Sequence, residues 1–134
     1  MTRRWLLSCA FLAATLCAAL PAQAVVPTQE RPFVVLRALD KMTARVEEMT
    51  LPVGKTFQFG SLSILARTCR VTLPEEAPPE SAAYLEIYEF KPGAQEQTSV
   101  FDGWMFASSP ALSAMEHPVY DIWVTGCADK AASN

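Results

Sequence analysis

The chain has 134 residues, 51% of them hydrophobic, with 11 basic against 14 acidic side chains and a formal net charge of −3. That length bounds a single small domain, and an acidic balance without a basic stripe argues against nucleic acid as a partner. The acids are scattered apart from Glu47-Glu48 and Glu75-Glu76, a pattern that reads as solubility rather than as a dock for a basic partner.

The first 24 residues read MTRRWLLSCAFLAATLCAALPAQA. Arg3 and Arg4 make a positive n-region, Trp5 to Leu20 is an uninterrupted apolar run, and Ala22-Gln23-Ala24 offers small residues at a cleavage site. This order predicts a secretory signal peptide, cut after Ala24. A membrane anchor is the rival, but Pro21 and the A-x-A site follow the run at once, so no stable membrane span is expected after cleavage. A lipoprotein signal fits neither Cys9, which has too little apolar run before it, nor Cys17, which follows Leu16. Both cysteines leave with the leader.

Removal of Arg3 and Arg4 leaves 9 basic and 14 acidic residues over positions 25–134, a net charge of −5. These 110 residues are expected to form one β-rich domain, ordered over about 32–127. Two cysteines remain, Cys69 and Cys127, in a compartment that oxidises thiols, and they can pair in one way only. Closing so long a loop adds on the order of 4 kcal/mol in the chain-entropy model. A redox pair would place its cysteines closer together, and a zinc site would need more ligands.

Val25 to Arg31 reads as a mobile polar lead-in. Val34 to Asp40 is a predicted strand, Lys41-Met42-Thr43 its turn, and Ala44 to Leu51 the partner strand. Glu47-Glu48 places one acid on each face of that partner, which puts it at a sheet edge. After a turn at Pro52 to Lys55, Thr56 to Phe59 and Ser61 to Val71 form a short strand and a long one. The proline-rich stretch Pro74 to Ser81 is a loop that carries no ladder. Ala83 to Phe90 alternates, with Tyr84, Glu86 and Tyr88 opposing Leu85 and Ile87. Val100 to Ala107 and Tyr120 to Cys127 complete the strands. Between the last two, Ser109 caps a short helix from Pro110 to Glu116, which Pro118 ends. About seven short strands, one short helix and one disulfide predict an all-β fold, a small antiparallel β-sandwich or barrel.

Residues 103 to 127, GWMFASSPALSAMEHPVYDIWVTGC, hold the candidate chemistry. Ser108 or Ser109, His117 and Asp121 are the ingredients of a hydrolase triad, but no nucleophile elbow is present, and the cap accounts for Ser109. One histidine with Glu116 and Asp121 does not define a metal site, and His117 reads as a loop residue. Glu86, Glu89, Asp102, Glu116 and Asp121 could supply a glycosidase pair only across a cleft, which so small a domain seldom builds. No catalytic residue, cofactor or metal is therefore expected. Trp123, on one strand face with Cys127, is expected in the core. Trp104, sharing the other kind of face with Phe106, fits either core or contact surface.

The stretches FGSLSILARTCRVTLPEE and GWMFASSPALSAMEHPVYDIWVTGC resemble the secreted alphaproteobacterial family called domain of unknown function 2155. The resemblance runs from about Val34 to Cys127. It is carried by Gly60-Ser61-Leu62, Thr68-Cys69, the Gly103 to Pro110 block and His117-Pro118-Val119-Tyr120-Asp121. It implies the periplasm of a Gram-negative cell and brings no assigned activity. The expectation is a non-enzymatic periplasmic module that binds an envelope protein or cell-wall component through a surface containing Trp104, Ser109, His117, Tyr120 and Asp121. The alternative is a small hydrolase or a protease inhibitor using the Ser108 to Pro118 segment or the Pro74 to Ser81 loop.

Overall fold

A computed structural model describes residues 26–132. The predicted leader and its cleavage after Ala24 lie outside the described residues. Eight strands and one helical turn follow in order: β1 (Gln29–Glu30), β2 (Phe33–Asp40), β3 (Arg45–Pro52), β4 (Thr56–Phe59), β5 (Leu62–Val71), β6 (Ser81–Glu89), β7 (Thr98–Phe106), a 3-10 turn (Pro110–Ser113) and β8 (Tyr120–Ala128). They form two antiparallel sheets. The larger has the order β1-β5-β6-β7, with β4 also on β5, and the smaller the order β3-β2-β8. The fold is an all-β sandwich whose sheets do not close into a barrel.

The alternation seen in the sequence builds the core. Val34, Leu36 and Ala38 of β2, Met49 and Leu51 of β3, and Ile122 and Val124 of β8 face Leu62, Ile64, Leu85 and Ile87 of the larger sheet. Successive strand residues point to opposite faces, so every second side chain enters the interior. Strand β3 lies at the edge, as Glu47-Glu48 predicts. Glu48 turns outward to Arg37 at 3.0 Å, and Glu47 pairs with Arg45 at 2.8 Å.

The lead-in carries a short strand that the sequence does not mark. Gln29 and Glu30 pair with Val71 and Arg70, Thr28 N–H donates to Val71 C=O, and Arg31 N–H donates to Cys69 C=O at 2.8 Å. Backbone bonds and an exposed Arg70–Glu30 ion pair at 3.1 Å hold this strand, with no apolar alternation to mark it in the sequence.

Two β-bulges place the disulfide. On β5 the register shifts between Ala66 and Thr68, and on β8 it shifts opposite Val35-Leu36, where Thr125 is the extra residue. A bulge inserts one residue and reverses the facing of all that follow. Without the shifts, Cys69 would point away from Ile64 and Cys127 away from Val124. With both shifts the two sulfurs meet between the sheets and are bonded, closing 58 positions of chain.

The β8 bulge also corrects the expected placement of Trp123. It does not share a face with Cys127 and is not core. It stands opposite Arg37 on the outer face of the smaller sheet, half-buried. Trp104 likewise lies on an outer face, opposite Tyr84. The interior is filled by aliphatic side chains instead, with Leu36, Leu62, Ile64, Leu85 and Ile87 the largest that are fully enclosed.

Candidate functional site

The predicted Pro110 to Glu116 helix shrinks to one 3-10 turn, Pro110–Ser113. Ser109 makes no side-chain cap. Its carbonyl accepts Leu112 N–H at 3.1 Å, and its own N–H donates to Phe106 C=O at 3.2 Å. So short a turn closes its bonds locally and leaves little for a capping hydroxyl to satisfy. Ser108 is the anchored serine: its N–H donates to Glu80 Oε1 at 3.1 Å, and its hydroxyl donates to Glu80 Oε2. Glu80 thus ties the Pro74 to Ser81 loop to the start of the Ser108 to Pro118 segment.

His117 is not a loop histidine at the surface. Its side chain is 3% exposed. Nδ1 accepts two backbone donors, Val119 N–H and Tyr120 N–H, each at 3.1 Å. A nitrogen that accepts carries no proton, so the ring proton belongs on Nε2. That atom lies 3.1 Å from Glu89 Oε1, close enough for electrostatic contact but out of line for a hydrogen bond. Glu89 is the last inward-facing residue of β6, and its other oxygen is 3.7 Å from Lys91 Nζ.

Tyr120 completes this corner. Its ring stacks on His117, and Phe59 meets it edge-on at 5.5 Å. The phenol lies directly over Gly60, where a Cβ would fall 2.6 Å from Cζ, and Gly60 itself has φ +56°. Only glycine meets both demands without strain. Asp121 faces outward to Lys41 Nζ at 2.7 Å, and the same ammonium donates to His117 C=O at 2.9 Å. His117, Tyr120 and Asp121 therefore come together with Gly60 and Lys41, as a clamp joining the β4–β5 turn to β8.

The clamp does not have the geometry of a Ser-His-Asp triad. His117 directs both nitrogens to Glu89 and the backbone, Asp121 is taken by Lys41, and no hydrogen bond joins His117 to Ser108 or Ser109 among the described residues. Among the same residues no three His, Cys, Asp or Glu side chains group as metal ligands.

Trp104 stands apart from the clamp. On the outer face of β5–β6–β7 it meets Tyr84 edge-on at 5.7 Å, and the Arg70 guanidinium lies over its ring at 5.8 Å. Tyr84 O–H donates to Asp102 Oδ1 at 2.7 Å, and this bond to the carboxylate raises the phenol above its ordinary value of 10.0, with burial and the Asp102 charge adding to it. Glu86 sits directly opposite Asp102 and is held bidentately by Arg67 at 2.7 and 3.0 Å. The carboxylate pair thus lies on an open sheet surface and not across a cleft.

The concave feature of the smaller sheet was missed by sequence reasoning. Leu39, Ile122 and Trp123 from the strands, with Pro110, Ala111 and Met115 from the connecting segment, line an apolar groove of about 500 Å3. Asp121 stands at its side, and Leu112 next to it is 76% exposed. The signal available was a tryptophan at an outward strand position, but its facing could not be known without the bulge that follows it. Trp123, Tyr120 and Asp121 are consecutive in β8 or nearly so, so groove and clamp share one strand.

With this geometry in hand, comparison with known proteins gives the family. The profile of the family described as "Uncharacterized protein conserved in bacteria (DUF2155)" matches residues 34–127. An uncharacterized protein of Rickettsia prowazekii (strain Madrid E) is 36% identical over 90 residues, which are 67% of this chain and 57% of that protein. The chain thus matches little more than half the length of this curated relative. No solved structure matches the chain. The matched segment takes in every strand from β2 to β8, the clamp and both disulfide cysteines, and the chain belongs to the DUF2155 family.

Proposed function

We propose that the chain is a non-enzymatic periplasmic module that binds a protein of the cell envelope through the groove beside Trp123. The supporting observation is the groove itself. An indole that an aliphatic core does not require stands on an outer sheet face, beside about 500 Å3 of apolar space. Partly exposed tryptophan in an apolar depression is the usual anchor of a protein contact. Arg37 and Glu48 on the same face, paired at 3.0 Å, would form part of a polar rim. The leader pattern ending at Ala24 and the paired cysteines support export to an oxidising compartment. The clamp around His117 acts in this reading as a structural support that fixes the start of β8.

The experiment is site-specific photocrosslinking in intact cells of the source bacterium. A photoreactive residue at Ala111, inside the groove, is expected to give a discrete envelope adduct. The same residue at Phe57, exposed on β4, is expected to give none. Equal adducts at both positions, or none at Ala111, would overturn the assignment of the groove.

A further inference from the structure

We infer that the outer face of the larger sheet is a second binding site, for a glycan chain of N-acetylated sugars. It is independent of the groove beside Trp123 and takes from the reading above only the export of the chain. The register stacks three rows of outward side chains across β5, β6 and β7. They are Arg70–Ala82–Phe106, Thr68–Tyr84–Trp104 and Leu65–Glu86–Asp102. The aliphatic interior lies behind this sheet, so the core does not account for a tryptophan and a tyrosine in front of it. Solvent reaches the face. Asp102 is exposed, the Arg67 side chain is 58% exposed, and Tyr84, Trp104 and Phe106 are half-buried.

Charge narrows the ligand. Arg67 is closed by Glu86 at 2.7 Å and Arg70 by Glu30 at 3.1 Å, while Asp102 takes the Tyr84 hydroxyl at 2.7 Å. A basic chain would have to displace an arginine, and an acidic chain a glutamate. A neutral ligand leaves these pairs whole and uses their spare capacity, since a carboxylate accepts at several sites and a guanidinium donates from several. Sugar hydroxyls donate and accept at once. The C–H face of a sugar ring is apolar and weakly positive, which suits the negative face of the Trp104 indole.

An apolar slot adds the acetyl group. Val26, 68% exposed, borders it with Trp104, Phe106 and Arg70, and Ala82 closes it beneath, leaving about 270 Å3. A hydroxyl placed there would lose its hydrogen bonds, whereas a methyl group has none to lose. An acetamido group carries such a methyl and keeps its amide outside, near the charged side chains. The rows span β5 to β7, about 10 Å at the usual strand spacing, which is longer than one sugar ring. The ligand is therefore a chain, and export leads it to the glycan strand of the cell wall.

The test uses the processed wild-type protein, with chitotetraose as the probe. Cellotetraose, which has hydroxyls in place of the acetamido groups, is the control. NMR titration is expected to show saturable shifts of the Trp104 and Phe106 rings with chitotetraose, and binding at least about tenfold weaker with cellotetraose. Trp104→Ala should weaken chitotetraose binding at least about tenfold. Val26→Asp, at an exposed position that leaves the sheet untouched, should do the same. Wild-type protein should also sediment with isolated cell-wall sacculi, and Val26→Asp should not. Equal binding of the two tetrasaccharides, or shifts at Trp123 in place of Trp104, would overturn the assignment. So would wild-type protein that stays in solution with sacculi, or a Trp104 face that takes a proline-rich peptide and no sugar. Failure of the groove reading would show separately, as loss of the Ala111 crosslink in cells.

Discussion

The imidazole of His117 stacks on the ring of Tyr120, with centroids 5.4 Å apart and planes inclined by 22°, and its Nδ1 accepts the N–H of the same tyrosine at 3.1 Å. One side chain thus stands in for two missing backbone acceptors at the start of β8, where Pro118 interrupts regular pairing. The same contact turns the tyrosine over Gly60, so the four residues His117 to Tyr120 and a glycine in another turn define a single corner.

Replacing His117 by alanine is expected to cost about 2 kcal/mol, because two partly buried amides lose their acceptor. His117→Asn should recover part of this, since a short amide oxygen can accept from the backbone two residues on. Urea unfolding of the three proteins measures the series. Equal stability for His117→Ala and the wild type would deny the histidine its structural role.

Gly60→Ala meets two obstacles, the φ of +56° and the phenol of Tyr120. The expected loss is at least about 2 kcal/mol, falling to about 1 kcal/mol when Tyr120→Ala removes the ring and only backbone strain remains. A double-mutant cycle reads the difference, and additive losses would mean that ring and glycine do not interact.

Replacing Cys69 and Cys127 together by serine should lower stability by on the order of 4 kcal/mol, from the 58-residue separation. Peptide mapping without reductant should find a single 69–127 bridge. Free thiols at both positions in secreted protein would remove the staple from the account.

Tyr84 makes a pH prediction. Its hydroxyl donates to Asp102, and the phenol is raised above 10.0. The sign follows: the neutral phenol is favoured in the folded state, so the contribution is complete below the unfolded value and is lost as pH rises through the higher folded one. Absorbance titration should show one tyrosine ionising at lower pH in Asp102→Asn than in the wild type. An unchanged curve would mean that the bond is not made in solution.

Seven of the eight strands were legible because core alternation and turn residues leave a local mark: Leu85 and Ile87 point in, Tyr84 and Glu86 point out, and Pro52 to Lys55 breaks the chain. The eighth, Gln29–Glu30, is held by backbone pairing and a surface ion pair to Arg70, and being two polar residues long it leaves none. The bulges were invisible for a related reason. A single inserted residue costs little locally, yet it decides whether Cys127 or Trp123 faces the core. The candidate residues were legible as types but not as a set. His117, Tyr120 and Asp121 converge, Trp104 belongs to another face, and Ser109 does no capping. The spacing of His117 to the amides at 119 and 120 was the missed clue, since a side-chain acceptor two and three residues before free N–H groups is a local turn device.

The groove beside Trp123 carries the functional claim, and one measurement bears on it most directly. The amount of envelope protein recovered through the Ala111 crosslink would be compared between the wild type and Trp123→Ser, alongside their unfolding midpoints. The side chain lies outside the core, so stability should change by less than about 1 kcal/mol, while recovery falls by at least about tenfold. Unchanged recovery in a folded Trp123→Ser protein would contradict the account.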